Sequence, residues 1–412
     1  MSVIDTKKGW TVTLAGTGIN LALGILYCWS VIKGGIPDSW GWSNASKALP
    51  YALACIFFAV AMIPAGKLQD KIGPRWVATL GGILTGLGCI IAGLSGSSLM
   101  GFVLGFGILA GLGIGFGYAS TTPPAVKWFP PQKTGLIAGI VVSGFGIATV
   151  YIAPLATYLL KSFGTQNAQG VFEKGVSQTM ITFGIGFLIV VTILSQLLKN
   201  PPAPDKPKEA SAAAASKTSH DMSWKEIIKT GQFYVLWGMF FAGSAAGLTF
   251  ISIAQDLGKK SLGELAFYVV IALAVGNASG RIIAGWVSDK IGRQWTIFCA
   301  MLFQAVVLSI LFMIKSGTGW LPIILVIIFI GANYGSNLSL FPSAVKDFFG
   351  LKNFGFNYGL VFSAWGTAGL IMPWLNGFIK DITGSNDLSY FIIIGMLLCG
   401  AGLTFVSRKL AK

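Results

Sequence analysis

Long, mostly apolar runs separated by short polar clusters dominate this chain, and their length sets the first expectation. A bilayer core of roughly 30 Å needs about 20 apolar residues per helical crossing. Twelve runs meet that length, near residues 11–33, 44–66, 76–95, 99–123, 135–161, 177–198, 231–255, 263–287, 295–315, 320–342, 355–379 and 389–407. The pattern predicts an all-α membrane protein with twelve transmembrane helices. Composition agrees: 54% of the 412 residues are hydrophobic and 10% charged, with a mean hydropathy of +0.74, whereas soluble proteins are about 25% charged. The first run follows Lys7 and Lys8, is too long for a signal-peptide core and lacks a small-residue cleavage site, so it reads as a retained first span.

Between Leu198 and Gly231 the sequence "KNPPAPDKPKEASAAAASKTSHDMSWKEIIKTG" is rich in Pro, Ala, Ser and Lys and cannot build a core. It reads as a flexible cytoplasmic linker with a short interfacial helix at Trp224 to Lys229. The expected division is a six-helix bundle over 1–198, a linker over 199–230 and a second six-helix bundle over 231–412. His220, the single histidine, falls in the linker and reads as a solvated side chain rather than a proton relay. Cys28, Cys55, Cys89, Cys299 and Cys399 all fall in apolar runs without CxxC spacing, which argues against a disulfide framework or a zinc site and for small core residues.

A net charge of +15 could suit nucleic acid or a membrane surface, and its distribution decides. Basic residues concentrate in alternate loops, 20 Lys and Arg on one side against 8 on the other, with Arg281 left inside a span. By the positive-inside rule the richer side is cytoplasmic. Both termini then face the cytoplasm, which requires an even number of spans, and the partner implied is the bilayer of the plasma membrane.

The two halves repeat. "GKLQDKIGPR" (Gly66 to Arg75) returns as "GWVSDKIGR" (Gly285 to Arg293), pairing Asp70 with Asp289 at an offset of 219. "AVKWFP" (Ala125 to Pro130) returns as "AVKDFFG" at the same offset, and after one inserted residue Gly135, Gly139 and Gly146 match Gly355, Gly359 and Gly366. Parallel repeats related by an axis along the membrane normal place a substrate site near the midplane, between bundles that can rock. The arrangement resembles the major facilitator superfamily, and the pattern Gly66, Leu68, Asp70, Gly73, Arg75 looks like its signature loop. The resemblance implies two pseudo-symmetric six-helix bundles, with Asp70, Arg75, Asp289 and Arg293 as conformational latches at the cytoplasmic helix ends.

Glycine strings such as "GFGILAGLGIGFG" (Gly105 to Gly117) lie inside a span, without the preceding strand or following acid of a dinucleotide site. Small residues at helical spacing instead let membrane helices approach closely. There is no Walker A lysine and no Ser/His/Asp or metal constellation, so neither an enzyme nor a cofactor is expected.

Arg281 precedes Asp289 by eight residues, placing it about 12 Å along the helix from that end of the eighth span. A charge at such depth costs on the order of 2.5–3.5 kcal/mol on insertion scales and usually faces a pathway and a partner. No acid occupies another span at matching depth; the nearest, Asp256, is at the outer end of the seventh. Guanidinium binds carboxylate through two parallel hydrogen bonds, so a visiting carboxylate is favoured over a structural pair with Asp256 or backbone carbonyls. Asn277 lies one turn earlier on the same face. Tyr27, Tyr118, Tyr334, Asn337 and Ser363 sit at similar depth and would complete a small pocket with one charge, suited to a small organic anion.

"YCWSV", "GFGYASTTPPAVKWFPPQKTGLIAG", "ANYGSNLSLFP" and "NYGLVFSAWGTAG" resemble the oxalate/formate antiporter and monocarboxylate transporter branch over nearly the whole chain. In that branch an arginine on helix 8 binds the substrate carboxylate, which carries over to Arg281. A second cation on helix 11 of the oxalate exchanger is Trp365 here, which favours a monoanion such as lactate or pyruvate. An aspartate one turn before the arginine in the animal proteins is Asn277 here, so a proton-coupling carboxyl must lie elsewhere, with Asp256 the candidate and an exposed helix-end charge its alternative. Lys33, near the outer end of the first span, resembles a lysine at that end in the animal proteins, which implies an anion-attracting entrance residue. The expectation is a proton-coupled symporter of small monocarboxylates working by alternating access as a monomer. Its rivals are an organic anion exchanger and a non-transporting carboxylate sensor.

Overall fold

The computed structural model describes residues 6–129, 134–167, 170–201, 222–314, 320–350 and 353–410. His220 and most of the expected linker lie outside them, as does the side chain of Asp70. Among the described residues twelve long helices follow in order, with the short helix expected in the linker seen at Trp224–Ile227. We number them α1 (Thr6–Leu23, continued by Gly24–Cys28 and Trp29–Lys33), α2 (Asn44–Ile72), α3 (Pro74–Leu94), α4 (Leu99–Phe102 to Gly111–Ala119, then Thr122–Lys127), α5 (Thr134–Ile147 and Thr149–Ser162) and α6 (Val176–Ser195). The second half holds α7 (Gly231–Leu262), α8 (Phe267–Ile291), α9 (Arg293–Met313), α10 (Trp320–Phe349), α11 (Phe354–Thr383) and α12 (Asp387–Leu410). Crossing in alternation, they leave Thr6 and Leu410 on one face, here the terminal face; the other is the far face.

Eleven of these helices, among the described residues, are long and apolar enough to span a bilayer. The exception is α11, which has the length at 30 residues but carries Asn357, Tyr358, Ser363, Thr367 and Asn376. Asn357 and Asn376 are buried against other helices, so lipid does not meet them and the lower hydropathy costs little. Two features depart from the sequence reading. A two-residue hairpin, β1 (Thr165–Gln166) with β2 (Phe172–Glu173), pairs antiparallel between α5 and α6. Cys299 and Cys399 are exposed, while Cys28, Cys55 and Cys89 are buried, and all five are free thiols. An apolar run marks depth in the membrane, not which face of the helix turns inward, so the sequence could not separate these cysteines.

Glycines set how closely the helices approach. A Cβ on Gly276 or Gly280 of α8 would collide with the carbonyls of Ile328 and Ala332, and one on Gly331 or Gly335 of α10 with those of Leu273 and Asn277. Backbone therefore lies on backbone there, and α8 is held rigidly by α10. In the first half Gly111 and Gly115 of α4 meet Ala54, Phe58 and Ala61 of α2, the same pairing with glycine on one side only. At both repeat loops the chain turns through a glycine with positive φ, 86° at Gly73 and 87° at Gly292, a conformation that a side chain would strain.

Candidate functional site

Packing against α10 aims one face of α8 at α5, across the boundary between the halves. Arg281 is half-buried on that face. Its Nε donates to Asn277 Oδ1 at 3.1 Å and its Nη1 to the Val142 carbonyl of α5 at 3.3 Å. Among the described residues no carboxylate comes within 4 Å of the guanidinium. Asp256 is engaged elsewhere, accepting from Lys33 Nζ at 3.3 Å, so the structural Arg281–Asp256 pair is absent. Asn277 Nδ2 is buried without a hydrogen-bond partner. Both it and Arg281 Nη2 border the bare backbone of Gly146, where a Cβ would lie 4.0 and 3.7 Å from them respectively. Two donors thus overlook a gap about the size of one methyl group, without a protein acceptor there among the described residues.

The gap borders an aromatic cluster drawn from both halves. α1 changes to a tighter 3-10 winding over Gly24–Cys28, where Gly24 lies on the backbone of Phe145, and this places Tyr27 against α10. Tyr27 and Tyr334 share a hydroxyl–hydroxyl bond of 2.8 Å, and Trp365 Nε1 donates to Tyr334 Oη at 2.8 Å. Phe58 packs edge-on to Tyr118, at 5.3 Å between ring centres, and to Trp365, at 5.2 Å. Tyr27, Tyr118 and Tyr358 fall within electrostatic reach of Arg281.

Of the residues singled out in the sequence, the structure brings together Arg281, Asn277, Tyr27, Tyr118 and Tyr334. Ser363 accepts from Trp237 Nε1 at 3.0 Å. Asn337 lies against Gly243 inside the second bundle, beside Gln304 and Met301, and does not join the cluster. Gly146, the Val142 carbonyl, Phe58 and Phe145 belong to the site without having been singled out for it; the pairing of Gly146 with Gly366 was the signal available for the first.

At the far face three polar links among the described residues cross between the halves. Lys33 of α1 reaches Asp256 and the Ser252 carbonyl of α7. Asp381 of α11 accepts from Asn44 N, Ala45 N and Asn44 Nδ2 at the start of α2, at 2.8–2.9 Å. Lys161 pairs with Glu264 at 3.3 Å. At the terminal face the cross-link among the described residues is Lys67 over the Phe356 ring, 4.6 Å away. Arg293 bridges Asp289 at 2.8 Å and Asp347 at 3.5 Å, tying α8, α9 and α10 within one half, and Arg75 donates to Gln196 at the end of α6.

The Major Facilitator Superfamily profile matches residues 14–373, so the chain belongs to that superfamily and is a multi-pass membrane transporter. Its relatives lie in the oxalate/formate antiporter and monocarboxylate transporter branch. It is 28% identical to the oxalate:formate antiporter of Oxalobacter formigenes, over 94% of this chain and 89% of that one. It is 25% identical to monocarboxylate transporter 11 of Homo sapiens, over 96% and 82%. An uncharacterized MFS-type transporter of Escherichia coli (strain K12), YhjX, is 30% identical over 86% and 84%. The crystal structure of a bacterial homologue of the human lysosomal transporter Spinster shares the fold, with a TM-score of 0.70 at 16% identity, covering 100% of this chain and 98% of that chain.

Proposed function

We propose that this protein carries small monocarboxylates, of the lactate and pyruvate type, by proton-coupled symport with alternating access. The observation that carries the reading is the gap at Gly146, faced by Arg281 Nη2 and the unpartnered Asn277 Nδ2. A carboxylate there accepts charge-assisted hydrogen bonds from a cation that has no acid of its own. The aromatic rings beside it suit a short apolar body, and the single fixed charge suits a monoanion. Tyr118, Tyr27 and Tyr334 complete the proposed binding set, and Asn337 and Ser363, which face elsewhere in the second bundle, fall outside it.

Alternating access requires links that break and reform. In this proposal the bundles 1–198 and 231–412 rock about the seam while 199–230 joins them. The terminal face is cytoplasmic, because its loops hold the excess of Lys and Arg, and the membrane is the plasma membrane. Lys33 and Asp256 hold the far face closed; protonation of Asp256 releases Lys33 and couples the proton to opening. Asp70, Arg75, Asp289 and Arg293 order the helix ends on the cytoplasmic side.

Uptake of labelled lactate into proteoliposomes tests the reading. Loss of the charged pair costs roughly 3 kcal/mol, so Arg281→Ala should lower uptake about 100-fold while thermal stability holds. Normal affinity in that variant would refute the assignment. Uptake driven by an imposed pH gradient into anion-free vesicles is expected for symport and lost in Asp256→Asn; dependence on an internal counter-anion would favour exchange, the mode named for the Oxalobacter relative.

A further inference from the structure

A second concentration of charge lies at the far face, separate from Arg281. A vestibule of about 410 Å³ is lined there by Lys33, Lys47, Lys174, Lys259 and Lys380, against Asp38, Glu173 and Asp256. Two of the lysines are matched, Lys33 by Asp256 and Lys47 by Asp38, each at 3.3 Å. Glu173 accepts from Asn167 Nδ2 at 2.9 Å. Lys174, Lys259 and Lys380 have no carboxylate within 4 Å among the described residues. Desolvation, and then the charge of Lys259, hold the Lys174 ammonium below the usual lysine range.

The placement of the three unmatched lysines matters more than their number. Lys174 follows β2 in the first half, whereas Lys259 and Lys380 lie at the far ends of α7 and α11 in the second. Closing the far face brings them around one cavity, where their mutual repulsion opposes the closure that the Lys33, Asp381 and Lys161 links favour. A single carboxylate can offset one of them. A compact anion with two or three negative groups can meet lysines of both halves at once.

We propose that the vestibule binds a soluble multivalent oxyanion of the di- or tricarboxylate class, and that its occupant holds the far face shut. Such a ligand has its full set of partners in the closed state alone, and differential affinity of this kind shifts the population toward that state. The site is independent of the Arg281 reading and stands or falls separately from it.

The test uses full-length protein in phosphatidylcholine nanodiscs, where no lipid is a net anion, with citrate as the probe and ionic strength held constant. Calorimetry should give a citrate Kd at least tenfold weaker for Lys174→Gln/Lys259→Gln/Lys380→Gln than for the wild type. It should give about threefold weaker binding for Lys259→Gln, an exposed single change that keeps the test usable if the triple variant is unstable. Arg281→Gln should bind citrate as the wild type does. Spin labels across the far face should report a narrower, shorter distance with citrate in the wild type. Equal citrate affinity in wild type and lysine variants, or loss of citrate binding in Arg281→Gln, would overturn the proposal.

Discussion

Two seams join the halves of this transporter, and the internal repeat makes them counterparts: α2 against α11, and α8 against α5. The offset of 219 sets Phe58 opposite Asn277 and Met62 opposite Arg281, while Gly366 corresponds to Gly146. Along the first seam the helices close on carbon. A Cβ on Gly369 would collide with Cys55 Cβ, one on Gly366 with Ala59 Cβ, and one on Gly359 would fall 3.2 Å from Ile63. Along the second, a Cβ on the equivalent glycine would meet the Arg281 guanidinium, Nη2 nearest at 3.7 Å, and Asn277 Nδ2 at 4.0 Å, rather than methyl groups. One repeated backbone therefore packs tightly on carbon on one side and faces nitrogen donors on the other, and the two glycines mark the difference.

The same substitution at both glycines should break the comparison most sharply. Gly366→Ala overpacks the first seam, and a loss of about 1–3 kcal/mol should appear as a lower melting temperature with substrate affinity little changed. Gly146→Ala puts a methyl where a carboxylate would sit. A tenfold rise in KM, equivalent to about 1.4 kcal/mol, should appear in lactate uptake with the melting temperature unchanged. If both variants behaved alike, the proposed division of labour between the seams would fail.

A smaller effect is expected at the point where the seams meet. Tyr334→Phe deletes one hydroxyl that serves both Tyr27 and Trp365, and each net hydrogen bond contributes about 0.5–1.5 kcal/mol. Chemical denaturation should show a loss of about 1–2 kcal/mol.

The smallest effect concerns Asp381 at the far end of the first seam. Burial pushes its carboxyl upward, but the donors of Ala45 and Asn44 outweigh that and hold it below the ordinary aspartate value of 3.8. A carboxyl depressed by folding stabilises fully above its unfolded pKa, and that contribution fades as pH falls through the lower folded value. The distance between spin labels at the start of α2 and the end of α11 should lengthen on acidification below 3.8 in the wild type. In Asp381→Asn this pH dependence should be reduced; an unchanged response would assign it to another group.

Much of the fold was legible because bilayer thickness is read directly from the length of apolar runs, and because the 219 offset survives in the polar loops. Arg281 and Asn277 were legible as a pair because four residues is one helical turn. Lys33 and Asp256 each stood out as charges at helix ends, yet their pairing joins positions 223 apart, and no local pattern encodes it. The tyrosine and tryptophan hydrogen bonds were hidden for the same reason. Gly146 was hidden by its chemistry: a glycine that leaves space for a guest and one that admits a neighbouring helix read alike until the neighbours are known. Asn337 carried the right polarity at the right depth but faces its own bundle, since depth does not determine rotation about the helix axis.

Extending the 219 offset back to α1 pairs Lys33 with Ser252, whose carbonyl its own ammonium touches. A side chain in contact with its counterpart lies where the two halves meet. Two copies of a lysine there would compete for a single place, each repelling the other. The two halves therefore have to differ at this point, and Ser252→Lys should be among the least tolerated ways of restoring the symmetry.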